Sequence, residues 1–253
     1  YGRHGIPVEL NEAHHWGMRD APDVVFAASA YLAAYNAKAF GVHDYIAQMM
    51  FNSPPGTSDA MDIAKMAACL RLTEELEDQD FRIWRQSRTG LLSHPLEENA
   101  ARAHLSASIY AQMSLKPHIV HIVGHTEAHH AATADDIIDA AKMARRSIEN
   151  ALAGQADMLQ DSAVIKRRDE IVSEARILLR AIQNIHGSKA TDPLTDPETL
   201  ANSVKLGILD APHLKNNAFA RGTIRTRIIH GACEAVDQDN QKIAESDRLK
   251  EHL

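Results

Sequence analysis

Cysteine is nearly absent. Cys69 and Cys233 are the two in 253 residues, too few and too far apart for a disulfide framework, and both read as buried thiols. Long apolar runs are missing as well. None approaches the ~20 residues that a bilayer-spanning helix needs, and the first residues lack the basic, apolar, small-residue order of a secretion signal. The expectation is a cytoplasmic protein with no membrane association. Blocks of Lys or Arg are also missing, and with a formal net charge of −7 the chain carries no nucleic-acid footprint. What is present is an ordinary globular composition, 45% hydrophobic and 24% charged, able to bury a substantial core. The excess is in histidine, with 15.

Several of those histidines fall in one stretch, Pro117 to His130. There an apolar, β-branched run stops at Gly124, and His125, Glu127, His129 and His130 follow before Thr133 opens a helical pattern. That order reads as a strand delivering polar groups to a loop. The same plan precedes it. Ile6–Leu10 is a short strand candidate, followed by a polar segment from Asn11 to Trp16 and a helix over Asp23–Phe40 with Gly41 as its stop. Tyr45–Phe51 is strand-like, Asn52-Ser53-Pro54-Pro55-Gly56 breaks it, and Thr57 or Ser58 caps a helix to Glu77. Phe81–Gln86 is a third strand, Ser87–Pro95 a loop and Glu97–Leu115 a helix. Thr133 and Asp136 form a capping pair for the helix to Leu152.

Strands alternating with long helices make a parallel sheet, in a closed barrel or a doubly wound arrangement, and the loops after its strands line the site. From about Asp157 the pattern changes. An amphipathic helix over Ile165–Ile185, ended by Gly187 and Ser188, is followed by a helix over Glu198–Leu206. A hairpin pairs Thr223–Ile229 with Ala232–Val236. Residues 1–156 therefore read as four strand–helix units and residues 157–253 as an α+β extension.

In a parallel sheet all four post-strand loops open on one edge, which brings together Asn11, Glu12, His14 and His15 from the first, Asn52, Ser53 and Gly56 from the second, Gln86, Arg88 and His94 from the third, and His125, Glu127, His129 and His130 from the fourth. Glu-Ala-His-His occurs at 12–15 and again at 127–130, and imidazole with carboxylate is a ligand set for zinc or iron. Adjacent loop histidines lack the one-face helical spacing of a dedicated zinc motif, so no metal ligand is assigned. Arg88 suits a carboxylate clamp or a surface ion pair. The two prolines read as a rigid turn, and the helix N-terminus behind them suits an anionic or polar cofactor group. Arg221, Arg225 and Arg227 alternate as a solvated strand face does, and Met49, Met50, Met61 and Met66 read as core filler.

From about Tyr31 onward the order of segments resembles the C-terminal half of the large (epsilon) subunit of glutamate mutase, or methylaspartate mutase. The matching stretches are Ala37-Lys38-Ala39-Phe40-Gly41-Val42, Ala64-Lys65-Met66-Ala67-Ala68-Cys69-Leu70, Ile119-Val120 with Glu127, Ala140-Ala141-Lys142-Met143-Ala144, and Gly207-Ile208-Leu209-Asp210-Ala211-Pro212 followed by Asn216-Asn217. The resemblance implies a parallel (β/α) barrel of TIM type, here about half of it, facing adenosylcobalamin. It also implies a radical rearrangement of an amino acid or related small acid, and a homo-oligomer. Because the Asp-x-His-x-x-Gly motif is missing, the cobalt-ligating histidine would come from a separate small cobalamin-binding subunit.

On that resemblance Glu127 takes the place of the glutamate that holds the adenosyl ribose. Asn52, Ser53, Gly56, Gly124 and His129 are grouped with it as cofactor contacts, and Glu12, His14, Arg88 and His125 are the catalytic candidates. The competing expectation is a metal-dependent hydrolase or lyase using the His/Glu-rich loops.

Overall fold

The computed structural model describes residues 2–185, 190–250 and 252. The chain is α/β. Strands β1 (Val8–Glu9), β2 (Asp44–Phe51), β3 (Arg82–Thr89) and β4 (Ile119–His121) form a parallel sheet in the order β1-β2-β3-β4. Between them lie α1 (Glu12–Gly17) and α2 (Asp23–Ala39), then α3 (Asp59–Glu74), then α4 (Glu98–Gln112), and α5 (Ala134–Gly154) follows β4. Right-handed crossovers between strands in unreversed order place successive helices on one face of a sheet.

Side-chain alternation follows that plan. Tyr45, Ala47 and Ile83 share a buried cluster with Ala33, Ala34 and Ala37 of α2, and Val120 packs with Leu105 and Ile109 of α4 and Ala140 of α5. The alternate residues, in register across the strands, point to the other face: Glu9 with Ile46, Gln48 with Gln86, and Met50 with Arg88 and His121.

Local signals fix the helix starts. Ser58 Oγ accepts from Met61 N, Glu97 from Asn99 N and Ala100 N, and Thr133 and Asp136 form the reciprocal capping box expected of them. Gly90 closes β3 against the end of β2. Its amide donates to Phe51 O at 2.8 Å, and a Cβ there would meet Asn52 O at 2.9 Å. A side chain would force those loops apart.

Two boundaries differ from expectation in ways that matter for the site. Asn11 to Trp16 is not a loop, because residues 12–17 wind into α1, which puts Glu12 and His14 on a helix. The third strand runs to Thr89, because β2 offers it partners as far as Phe51, so Arg88 is a strand residue instead of a loop residue. Strands β1 and β4 are shorter than their apolar runs, each having a single neighbour.

Beyond the sheet come α6 (Ser162–Gln183), α7 (Pro197–Lys205), an antiparallel hairpin of β5 (Thr226–Ile229) and β6 (Ala232–Ala235), and α8 (Glu245–Arg248). The stop expected at Gly187 and Ser188 lies outside the described residues. Helix α6 lays Ile171, Val172, Ala175, Leu178 and Ile182 across α2 and α3, in one apolar core with Val25, Phe26, Ile63 and Met66. No helix among the described residues is long and apolar enough to cross a membrane.

Candidate functional site

The sheet face turned away from α2, α4 and α5 is polar at its centre. Gln48 Nε2 donates to Oε1 of Glu9, and Gln86 Nε2 donates to Oε2 at 2.8 Å, so one carboxylate of β1 is gripped from both β2 and β3. Arg88 stands two residues further along β3. It is half-buried, its Nε is shielded from water, and among the described residues it makes no hydrogen bond or ion pair. Burial lowers its pKa, while the charges of Glu9 and Glu127 act in the opposite sense.

His14 lies beside it, 3% exposed, with Nε2 free of any hydrogen bond among the described residues. Burial, with the Arg88 charge, pushes this histidine down to about 3 despite a backbone hydrogen bond with Gln48, so it is neutral at physiological pH. Gln48 Oε1 is a further buried acceptor without a partner. His121 completes the row next to Arg88, lowered in the same direction by burial and by the arginine.

A second cluster sits in the loops after β3 and β4. His94 and His125 are buried, and all four ring nitrogens lack a hydrogen-bond partner among the described residues. The His94 ring meets His104 edge-on at 5.2 Å, and Ser93 Oγ lies 2.8 Å from His104 Nε2. Burial, with His104 and His125 nearby, holds His94 down to about 4. His125 Nε2 is 3.9 Å from Asp136 Oδ1, whose other oxygen takes His130 Nε2 at 3.2 Å.

The turn from Gly124 to His130 is wound by Glu127 N donating to Gly124 O and His129 N donating to Thr126 O. This directs His125 and Thr126 inward and leaves Glu127 and His129 exposed, with Gly124 half-buried before them. Among the described residues the Glu127 carboxylate makes no side-chain hydrogen bond, and its charge reaches Arg88.

The remaining candidates point elsewhere. Asn52, in the left-handed region at φ 55, donates its amide to Asp62 at 2.6 Å, and its Oδ1 accepts from Ser108 Oγ at 2.8 Å. The Ser53 carbonyl accepts from Lys65 Nζ at 2.7 Å. Both are therefore engaged inside the β2–α3 connection. Gly56 is exposed, at φ 94, next to Ile228 of the hairpin. Glu12 accepts from Trp16 Nε1 at 3.0 Å and borders an apolar cavity of about 520 Å³ formed with Leu10, Leu32 and Leu200.

The structure thus brings His14, Arg88 and Glu127 together and gathers His125 with His94. Gln86 and His94 stood among the strand-end candidates, whereas Glu9, Gln48 and His121 did not. The signal for these three was a polar residue at alternate positions of an otherwise apolar strand. Among the described residues no group of three or more His, Cys, Asp or Glu side chains is arranged to hold a metal ion. No protein-family model and no curated protein matches the chain.

Proposed function

We propose that this chain is the catalytic barrel component of an adenosylcobalamin-dependent carbon-skeleton mutase similar to glutamate mutase, an isomerase that rearranges an amino acid or related small acid. The observation that carries the reading is Arg88, an unpaired cation at the strand ends of a polar sheet face. An unpaired half-buried charge costs stability, and such groups are retained where a ligand completes them.

Four strands in unreversed order, each followed by a helix, are the repeating unit of a TIM-type barrel, and the polar face then lines its interior. Four further units, from more of the same protein or from another chain, would close it.

Arg88 suits a substrate carboxylate, and Glu9 and Glu127 close by favour a molecule that also carries a cationic nitrogen over a dicarboxylate. Glu127, exposed and without a side-chain hydrogen bond, fits the hydroxyls of an adenosyl ribose. Neutral His14 offers a bare Nε2 acceptor to the substrate. Adenosylcobalamin, carried by a small cobalamin-binding partner, would supply hydrogen-atom abstraction, while this chain binds, orients and shields.

Spectroscopic titration with adenosylcobalamin, with and without a small cobalamin-binding protein, tests the reading. Association that weakens in Glu127→Gln supports it; no association under either condition overturns it.

A further inference from the structure

The C-terminal hairpin meets the rest of the chain at the mouth of the sheet. Thr226 Oγ1 donates to Asp20 O at 2.9 Å, Cys233 Sγ to Ala21 O at 3.3 Å, and Ser58 N to Gly231 O at 2.9 Å. Asp20 and Ala21 precede α2 and Ser58 caps α3, so the hairpin is clasped to the connections that follow β1 and β2.

Beneath it runs a line of buried charge. Glu234 Oε1 is 2.7 Å from Arg167 Nη1, Arg167 Nη2 donates to Asp23 Oδ2 at 3.0 Å, and Asp23 Oδ1 is 3.4 Å from Lys65 Nζ. Lys65, 1% exposed, ends the line by donating to the Ser53 carbonyl. Burial opposes its charge, but Asp62 and Asp23 outweigh that and hold the ammonium above its usual value. Asp62, 3.0 Å from Lys65, also accepts from Asn52 N and Thr57 Oγ1, so the cluster grips both ends of the loop after β2. Removing one member of such a set leaves the others uncompensated, which ties them to a single joint geometry.

We propose that the hairpin, acting through Arg167, Asp23 and Lys65, positions the strand-end loop from Asn52 to Thr57, so that the C-terminal region shapes the mouth it borders. Arg167 and Lys65 are positioning residues. They act on the loop through its backbone, at the Ser53 carbonyl and, by way of Asp62, at the Asn52 amide. The inference is independent of which small molecule the open sheet face takes.

Hydrogen exchange read by mass spectrometry on the full chain tests it with two variants. Glu234→Gln removes the hairpin's own carboxylate from the three that face Arg167, the others being Asp23 and Glu170, also takes a partner from Lys242, and keeps the side-chain size. Gly231→Ala touches no buried charge and drives a methyl group into the Ser58 side chain from a backbone at φ 84. In both, the loop amide of Asn52, which Asp62 holds, should exchange about tenfold faster or more, while the β2–β3 ladder keeps its wild-type rates. Unchanged loop exchange in the folded variants overturns the proposal. So does acceleration spread evenly over loop and ladder, or loss of the fold in both, since each makes the hairpin a global stabiliser instead of a local support.

Discussion

Gln86 on β3 donates a hydrogen bond to Glu9 on β1 from two strands away, while Gln48 on the strand between them holds the other oxygen of the same carboxylate. Adjacent strands lie ~4.8 Å apart, so side chains from next-nearest strands have been drawn together over the open face. The polar groups of that face act as a unit, and the carboxylate at its centre holds them in place.

Substituting Glu9 separates charge from hydrogen bonding. Glu9→Gln keeps an acceptor and should cost about 1 kcal/mol, whereas Glu9→Ala strands two buried amides and should cost about 3 kcal/mol. Urea unfolding of the two variants measures the difference, and equal costs would show that the clamp does not hold the glutamines.

Arg88 should behave as a functional residue that is kept at the expense of stability. With no ion pair to lose, Arg88→Met is expected to leave the unfolding free energy unchanged or raise it by about 1 kcal/mol. The same substitution should abolish carboxylate binding measured by calorimetry. A loss of several kcal/mol in stability would instead make the arginine structural.

Lys65 predicts the opposite pattern. Lys65→Met leaves Asp62 buried without its cation and should destabilise the protein by about 3–5 kcal/mol, measured by the same denaturant titration. Retention of wild-type stability would mean that the buried cluster is relaxed by other contacts.

Acid should destabilise the fold through its neutral buried histidines. His14 and His94 are held down to about 3 and about 4, below the ~6.5 of an unfolded histidine, so between those values the unfolded chain binds more protons. Stability is therefore fully present above ~6.5 and falls as the pH drops, by about 1.4 kcal/mol per pH unit for each histidine. His104 and His121, shifted in the same direction by burial, add to the slope. Urea midpoints from pH 8 to 4 should show the fall, and His14→Gln with His94→Gln should flatten it.

The alternation of strands and helices was legible because hydrophobic period and capping residues are local. Ser58 and the Thr133–Asp136 box mark their helices in sequence as they do in space. Arg88, His14 and Glu127 were legible as polar residues near strand ends. What stayed hidden depends on pairing. The reach of β3 to Thr89 is set by β2, and the clamp on Glu9 needs three strands in register. Lys65 sits in an apolar helix as an apparent exception, explained only when Asp23, Asp62 and the Ser53 carbonyl surround it. The hairpin, an appendage in sequence, borders the mouth because hydrogen bonds to Asp20 and Ser58 hold it there.

Isotope transfer addresses the proposed chemistry most directly. Adenosylcobalamin tritiated at the 5′ carbon is mixed with the chain, a small cobalamin-binding protein and a panel of amino acids and small acids. A barrel mutase component predicts tritium in at least one of them, reduced about a hundredfold or more by Arg88→Met. Bound cobalamin without any transfer from the wild-type chain would contradict it.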